Sequence, residues 1–180
     1  MFKLQLLSMF ISATLYFGCF HLNMELFDTL ELRRGINWIF LPAGVRMLCT
    51  LLFGAAGAIG LFIASLIVSV QIYGEMGGVT NVVSACISAG APYLVYRLAL
   101  MNGMPATLEK LNGIKLVILS LVYAFMHALL LSIWYSLRSI HSDIVSDFSA
   151  IIIGDFTGAL IVLYAMKMIL ATIRRVRGQA

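Results

Sequence analysis

The sequence predicts an all-α integral membrane protein, a polytopic bundle of about six transmembrane helices. Apolar residues make up 62% of the chain and charged residues 11%, and the mean hydropathy is +1.01. Soluble domains carry about 25% charged residues, so 12 basic and 8 acidic side chains are too few to solvate a 180-residue globule. This composition excludes a soluble enzyme, a secreted disulfide scaffold and a nucleic-acid-binding domain.

The first predicted span covers residues 2–20, which is long enough to cross the hydrocarbon core. A secretory signal peptide is the alternative, with Lys3 as its positive start and Cys19 as a lipoprotein-type cleavage site. We expect the segment to be retained, because Tyr16 and Phe17 fit poorly ahead of such a cysteine.

The apolar run from Ile36 to Tyr73 is too long for one crossing, since one helix over it would span about 57 Å. Glycine permits a tight turn, so the glycine and alanine residues at 54–57 predict a break between spans 37–53 and 57–73. Pro42 lies in the first of these spans and predicts a kinked, unwound or re-entrant segment there.

Three further spans are predicted at 80–99, 114–137 and 147–173. Together the six spans form a single transmembrane domain, residues 1–180, and we expect no soluble output domain. In the six-span arrangement, the segments on one side of the membrane carry mainly basic residues, and those on the other side carry mainly acidic residues. The positive-inside rule therefore predicts a protein of the cell inner membrane with both termini cytoplasmic. A five-span alternative makes 37–53 re-entrant and moves Lys3 outside.

Two charges stand within predicted spans, Arg46 and Asp155. A charge at a helix centre costs about 2.5–3.5 kcal/mol on insertion scales, so such residues are candidates for function. We expect the two to form a buried ion pair or to line a polar cavity together; the alternative is that they only fix helix packing. Trp38, Pro42 and Gly44 complete the candidate ligand-binding site.

Small residues predict close helix packing, because glycine lets another backbone approach. They occur around the predicted break and as a GxxxG spacing in the last span, namely Gly54, Gly57 and Gly60, then Gly154 and Gly158.

His127 stands alone in the fifth span, where it is a candidate proton relay. The alternative is a histidine that bonds a carbonyl in the bundle. His141, Asp143 and Asp147 resemble a metal site only weakly, and Asp147 with Ser149 is better explained as the cap of the last helix. We predict no metal, no cofactor and no enzymatic activity, because no acid, base and nucleophile converge. The three cysteines are isolated and indicate no disulfide framework.

Three motifs resemble the MASE1 family, the membrane sensor module of bacterial signalling proteins. They are residues 38–46 followed by 51–54, the segment Tyr93–Arg97, which is similar to the family's leucine–arginine ending, and the glycine–aspartate helix Ile153–Leu160. The resemblance implies a sensory or adaptor protein that binds a small ligand or a partner helix and signals to a separate membrane or cytoplasmic protein. Members usually have about eight spans and a fused output domain, so the resemblance leads us to expect a shortened, standalone version. Oligomerisation is compatible with that role.

Two other functions fit the same features. Broken helices and intramembrane charges are found in small-molecule transporters and in their substrate-binding membrane subunits. The small-residue seams alone are sufficient for a structural subunit of a larger membrane complex.

Overall fold

A computed structural model describes residues 2–33, 35–74, 77–104, 111–140 and 143–176. Five long helices make up this part of the chain: α1 (Phe2–Leu26), α2 (Leu41–Tyr73), α3 (Gly78–Met101), α4 (Gly113–Leu137) and α5 (Ile144–Val176). All five are long and apolar enough to cross a membrane. The chain is thus a helical, multi-pass membrane protein. His141, named above, lies outside the described residues, as do four charged residues that bear on the topology, namely Arg34, Glu75, Lys110 and Arg177.

The break predicted in the long apolar run occurs at Gly54. Its φ of 57° and ψ of −129° interrupt α2 with a conformation that favours glycine. We call residues 41–53 the first arm of α2 and residues 55–73 the second arm. A straight helix would separate Leu41 from Ile72 by more than about 45 Å. Instead, Ile72 packs against Gly35, and Gly57 faces the carbonyl of Cys49, so the second arm doubles back along the first.

A short non-helical segment leads into α2. A 3₁₀ turn at Asp28–Leu30 is followed by an antiparallel hairpin of β1 (Glu31–Arg33) and β2 (Ile36–Asn37). Residues 38–40 remain non-helical, and α2 begins at Leu41 with Pro42 in its first turn. The predicted span began at residue 37, four residues before the observed start of α2. Proline in a first turn displaces no helical hydrogen bond, so the unwound part is the segment before it.

Two long-range hydrogen bonds fix that segment within the bundle. The Asn23 side chain of α1 accepts from the Leu41 amide at 2.8 Å. The Phe40 amide donates to the Gly154 carbonyl of α5 at 3.1 Å. Because Gly154 lies well inside α5, the chain before α2 reaches far below the end of the bundle before the helix starts.

The bundle has two ends. We call the end that carries β1 and β2 the hairpin end; there Arg33 forms a 2.8 Å ion pair with Asp147 at the start of α5. At the opposite end, the Tyr164 hydroxyl donates to the Gly113 carbonyl at 3.0 Å, and Lys167 donates to the Leu111 carbonyl. These last two contacts place the start of α4 beside the second half of α5, so the two helices run antiparallel there.

Candidate functional site

Arg46 lies in the first arm of α2 and is 4% exposed. Its Nη2 donates to the Tyr16 hydroxyl of α1 at 2.5 Å. The guanidinium carbon also lies 5.0 Å from the centre of the Tyr16 ring and 5.3 Å from that of Phe40. Aromatic faces attract a cation, most strongly where water is excluded. The two rings therefore offset part of the cost of burying this charge.

His127 of α4 stands between the two charges that the sequence singled out. Its Nε2 lies 3.4 Å from Arg46 Nη1, and its Nδ1 bonds Asp155 Oδ2 on α5. All three side chains are buried. The sequence alternatives for this histidine were a relay and a carbonyl partner. The structure gives it a guanidinium and a carboxylate instead of a carbonyl.

The two contacts favour one tautomer of neutral His127. A guanidinium can only donate, so Nε2 must present its lone pair to Arg46. The proton is then on Nδ1, from which it is donated to the carboxylate of Asp155. In this state the histidine is neutral, and one positive and one negative charge are connected through it. We call Tyr16, Arg46, His127 and Asp155 the charge cluster.

Arg46 and Asp155 thus share a site without direct contact. Among the described residues, acidic and basic side chains come within 4.0 Å in the Arg33–Asp147 pair and the His127–Asp155 pair. The predicted ion pair therefore takes a bridged form, and the other prediction, a shared polar cavity, describes the arrangement directly. Both residues line the same cavity.

That cavity runs from the charge cluster towards the hairpin end. The space in which the centre of a water molecule fits amounts to about 50 Å³, several times the ~10–15 Å³ that one ordered water needs. Its polar lining comes from all five helices and from β2, and comprises Tyr16, Asn37, Arg46, Ser65, Ser69, Tyr73, Ser84, Ser88, His127, Tyr135 and Asp155. Near the hairpin end, the Tyr73 and Tyr135 hydroxyls lie 2.5 Å apart.

Several buried polar atoms of this lining have no partner within the described residues. They are the Nε of Arg46, the hydroxyls of Ser65 and Ser84, and the side-chain oxygen of Asn37. The Arg46 guanidinium also interacts with the Tyr123 hydroxyl, and Ser84 interacts with Tyr73 and Tyr135. A buried donor without a partner costs about 1–3 kcal/mol. Water or a ligand with acceptor atoms would satisfy the donors, and the cavity provides the room.

The other predicted site residues lie outside the cavity. Trp38 is 36% exposed, and Pro42 and Gly44 are buried but are not part of the cavity lining. Gly44 packs against Gly158 and Val162 of α5. These residues contribute to packing around the non-helical segment, and they do not contact the charge cluster through their side chains.

Four of the five predicted packing glycines lie at close backbone crossings, whereas a Cβ on Gly54 would meet nothing within 4 Å. A Cβ on Gly154 would overlap the Asn37 carbonyl, and one on Gly158 would overlap the Phe40 carbonyl. Gly60 faces the Met9 carbonyl of α1 instead of the other arm of α2. We call the contact of Gly154 and Gly158 with residues 37–41 the glycine seam.

The predicted cap of the last helix is wrong. α5 begins at Ile144, and the Asp143 side chain accepts from the Ser146 amide at 3.1 Å. Asp147 is buried and pairs with Arg33, while the Ser149 hydroxyl donates to the Val145 carbonyl. Within the described ranges, no three His, Cys, Asp or Glu residues are grouped as metal ligands.

Sequence reasoning missed Tyr16 and the four serines of the cavity. The serines carry a usable signal: Ser65 and Ser69 are four residues apart, as are Ser84 and Ser88. Residues four apart share one face of a helix. Two such serine pairs on otherwise apolar helices indicate polar faces that turn towards each other.

Comparison with protein-family models, with curated proteins and with solved structures finds no match to this chain. The MASE1 resemblance therefore stays a prediction that rests on the sequence motifs.

Proposed function

We propose that this chain is a bacterial inner-membrane receptor, a MASE1-like sensory or adaptor protein that binds a small ligand in the polar cavity. The observation that carries the proposal is the cavity itself, because its lining holds buried side chains of opposite charge and donors without partners. Unsatisfied polar groups destabilise a bundle. A purely structural core has no use for them, whereas a binding site does.

The charge cluster provides a route from ligand to output. Tyr16, Arg46, His127 and Asp155 belong to α1, α2, α4 and α5, so one ligand that rearranges Arg46 changes contacts among four helices. Signalling needs two packings of similar energy, of which the ligand prefers one. The shifted helix ends then contact a separate partner protein.

The six-crossing topology is part of the proposal. Described charges at the hairpin end are Glu25, Asp28, Glu31, Arg33, Arg138, Asp143 and Asp147, and those at the opposite end are Lys3, Arg97, Lys115, Lys167 and Arg175. The positive-inside rule supports a cytoplasmic position for the opposite end, and with it for both termini. The first arm of α2 is then a short crossing completed by the non-helical segment.

The test is to identify what the cavity holds. The full chain is purified in mild detergent, and small molecules are extracted and identified by mass spectrometry, in parallel with Arg46→Gln. Arg33→Gln is the matched control, because it removes an arginine outside the cavity. A compound that co-purifies with the native chain and with Arg33→Gln but not with Arg46→Gln supports the receptor. Identical extracts from all three contradict it.

A transporter is the second candidate, and the non-helical segment before α2 favours it. Residues 38–40 are not helical and contact the interior of α5, and discontinuous helices form the substrate sites of many transporters. Accumulation of the identified compound in liposomes that contain only this chain would favour transport. Binding without uptake favours the receptor.

A further inference from the structure

The charge cluster is neutral as a whole in the absence of a ligand. Arg46 carries one positive charge, Asp155 one negative charge, and the favoured tautomer of His127 is uncharged. Among the described residues of the cavity lining, Arg46 and Asp155 are the two charged side chains. A ligand with a charge therefore disturbs a balanced, buried site unless a second charge enters with it.

We propose that the cavity binds a small monovalent oxyanion of the carboxylate class together with one proton, which Nε2 of His127 accepts. The inference rests on the proposed function, since it names the ligand class of that cavity. It has three supports: the donors that lack partners, the size of the space, and the geometry of the histidine.

The donors select an anion. Arg46 Nε and the Ser65 hydroxyl are buried without partners, and each can donate to an oxygen, while the Ser84 hydroxyl interacts with Tyr73 and Tyr135. Guanidinium groups bind carboxylates through two parallel hydrogen bonds. A cation, by contrast, would meet the positive charge of Arg46, while the single carboxylate of the lining is already bonded by His127.

The size limits the ligand to a few heavy atoms. A space of about 50 Å³ for water centres corresponds to roughly three to five ordered waters at ~10–15 Å³ each. Acetate, with four heavy atoms, matches that space. Larger dicarboxylates and aromatic acids do not, unless the Tyr73–Tyr135 contact opens.

The histidine geometry links the anion to a proton. Without a ligand, Nε2 of His127 accepts from Arg46. When the guanidinium turns towards the anion, Nε2 loses this donor. Protonation of Nε2 replaces that donor: the imidazolium then donates from Nδ1 to Asp155 and from Nε2 to the anion. The site holds two positive and two negative charges, so it is neutral again.

Two groups in contact can take this proton, the Asp155 carboxylate and Nε2 of His127, and Nε2 is the one that faces Arg46 and therefore the anion. Tyr123 stacks on His127 within α4, at 5.8 Å between ring centres, Tyr16 approaches from α1, and Tyr73 and Tyr135 lie across the cavity. Tyrosine is uncharged near neutrality. α3 contributes Ser84 and Ser88, which do not titrate. Histidine is the side chain suited to changing charge between about pH 5 and 8.

The experiment is calorimetric titration of the purified full chain with acetate, and with acetamide as the neutral isostere. Titrations in two buffers of different ionisation enthalpy give the number of protons taken up. We expect acetate to bind at least about tenfold more tightly than acetamide, with one proton taken up per acetate. The apparent dissociation constant should rise by up to about tenfold per pH unit on the alkaline side, because ligand and proton bind together.

Variants separate the two parts of the proposal. Arg46→Gln should abolish acetate binding, and Arg46→Lys, which keeps the charge in case the first variant does not fold, should weaken it. His127→Gln should remove proton uptake and the pH dependence, while Arg33→Gln should bind acetate like the native chain. Equal binding of acetamide, acetate binding without proton uptake, or binding of neither probe overturns the inference. If a neutral compound is extracted from the native chain, the receptor function is supported and the anion inference is wrong. If no compound is extracted and neither probe binds, the receptor function and the anion inference are both wrong.

Discussion

Two adjacent faces of α5 show opposite ways of packing a membrane helix. Asp155 faces the polar cavity and bonds His127, while Gly154 and Gly158 face residues 37–41 in the glycine seam. The seam is closely fitted, and its energy comes from van der Waals contact and one backbone hydrogen bond. The cavity holds charge and donors without partners, which reduce stability. The difference indicates that the seam serves the fold and the cavity serves a ligand.

The largest effect should come from removing the carboxylate of the cavity face. Asp155→Ala leaves His127 without its acceptor and Arg46 without a compensating charge, and loss of one partner of a buried pair costs about 3–5 kcal/mol. Thermal unfolding of the purified chain in detergent measures this change. Asp143→Ala is the control, because it removes an exposed cap worth about 1 kcal/mol. Equal losses for the two would mean that the charge cluster is not coupled in the folded protein.

A methyl group in the seam should cost somewhat less. Gly158→Ala places a Cβ against the Phe40 carbonyl, which is backbone and cannot rotate away. Overpacking of this kind costs about 1–3 kcal/mol. Gly90→Ala is the matched control, because a Cβ there meets nothing within 4 Å, and alanine is the better helix former by up to about 1 kcal/mol. A stable Gly158→Ala variant would show that the seam is looser than these contacts indicate.

The seam and the cavity also differ in how far the sequence predicts them. Apolar length located the helices, and glycine spacing located both the break at Gly54 and the crossing at Gly154 and Gly158, because these features depend on backbone and local pattern. The position of His127 between Arg46 and Asp155 depends on how α4 is rotated against α2 and α5. Hydropathy does not determine that rotation, since these helices are apolar on most sides.

The same limit explains the errors at Trp38 and Asp147. Trp38 was assigned to the site because it lies in the same sequence motif as Arg46, but its side chain in the non-helical segment is 36% exposed. Asp147 fitted the pattern of a helix cap, and its partner Arg33 lies on a hairpin that no local signal connects to α5. Contacts between distant segments decided both positions.

A smaller effect is expected at the hairpin end of the cavity. Tyr73→Phe removes one hydroxyl from the 2.5 Å contact with Tyr135, and a hydrogen bond contributes about 0.5–1.5 kcal/mol. We expect a loss of stability in that range together with faster entry of the ligand, since this contact borders the cavity. Stopped-flow binding of the identified ligand measures the second effect. Tyr164→Phe, which removes a hydroxyl at the opposite end, should leave the binding rate unchanged.

The smallest net change in stability should come from replacing the whole cluster with apolar residues. Arg46→Met, His127→Leu and Asp155→Leu together remove both charges and the bridging ring, and buried ion pairs replaced in this way are often neutral or stabilising. We expect unfolding within about 1 kcal/mol of the native chain, or higher, despite the large loss expected for Asp155→Ala alone. Ligand binding should be absent. A triple variant that unfolds as easily as Asp155→Ala would mean that the charges hold the bundle together, and the contrast between seam and cavity would then be lost.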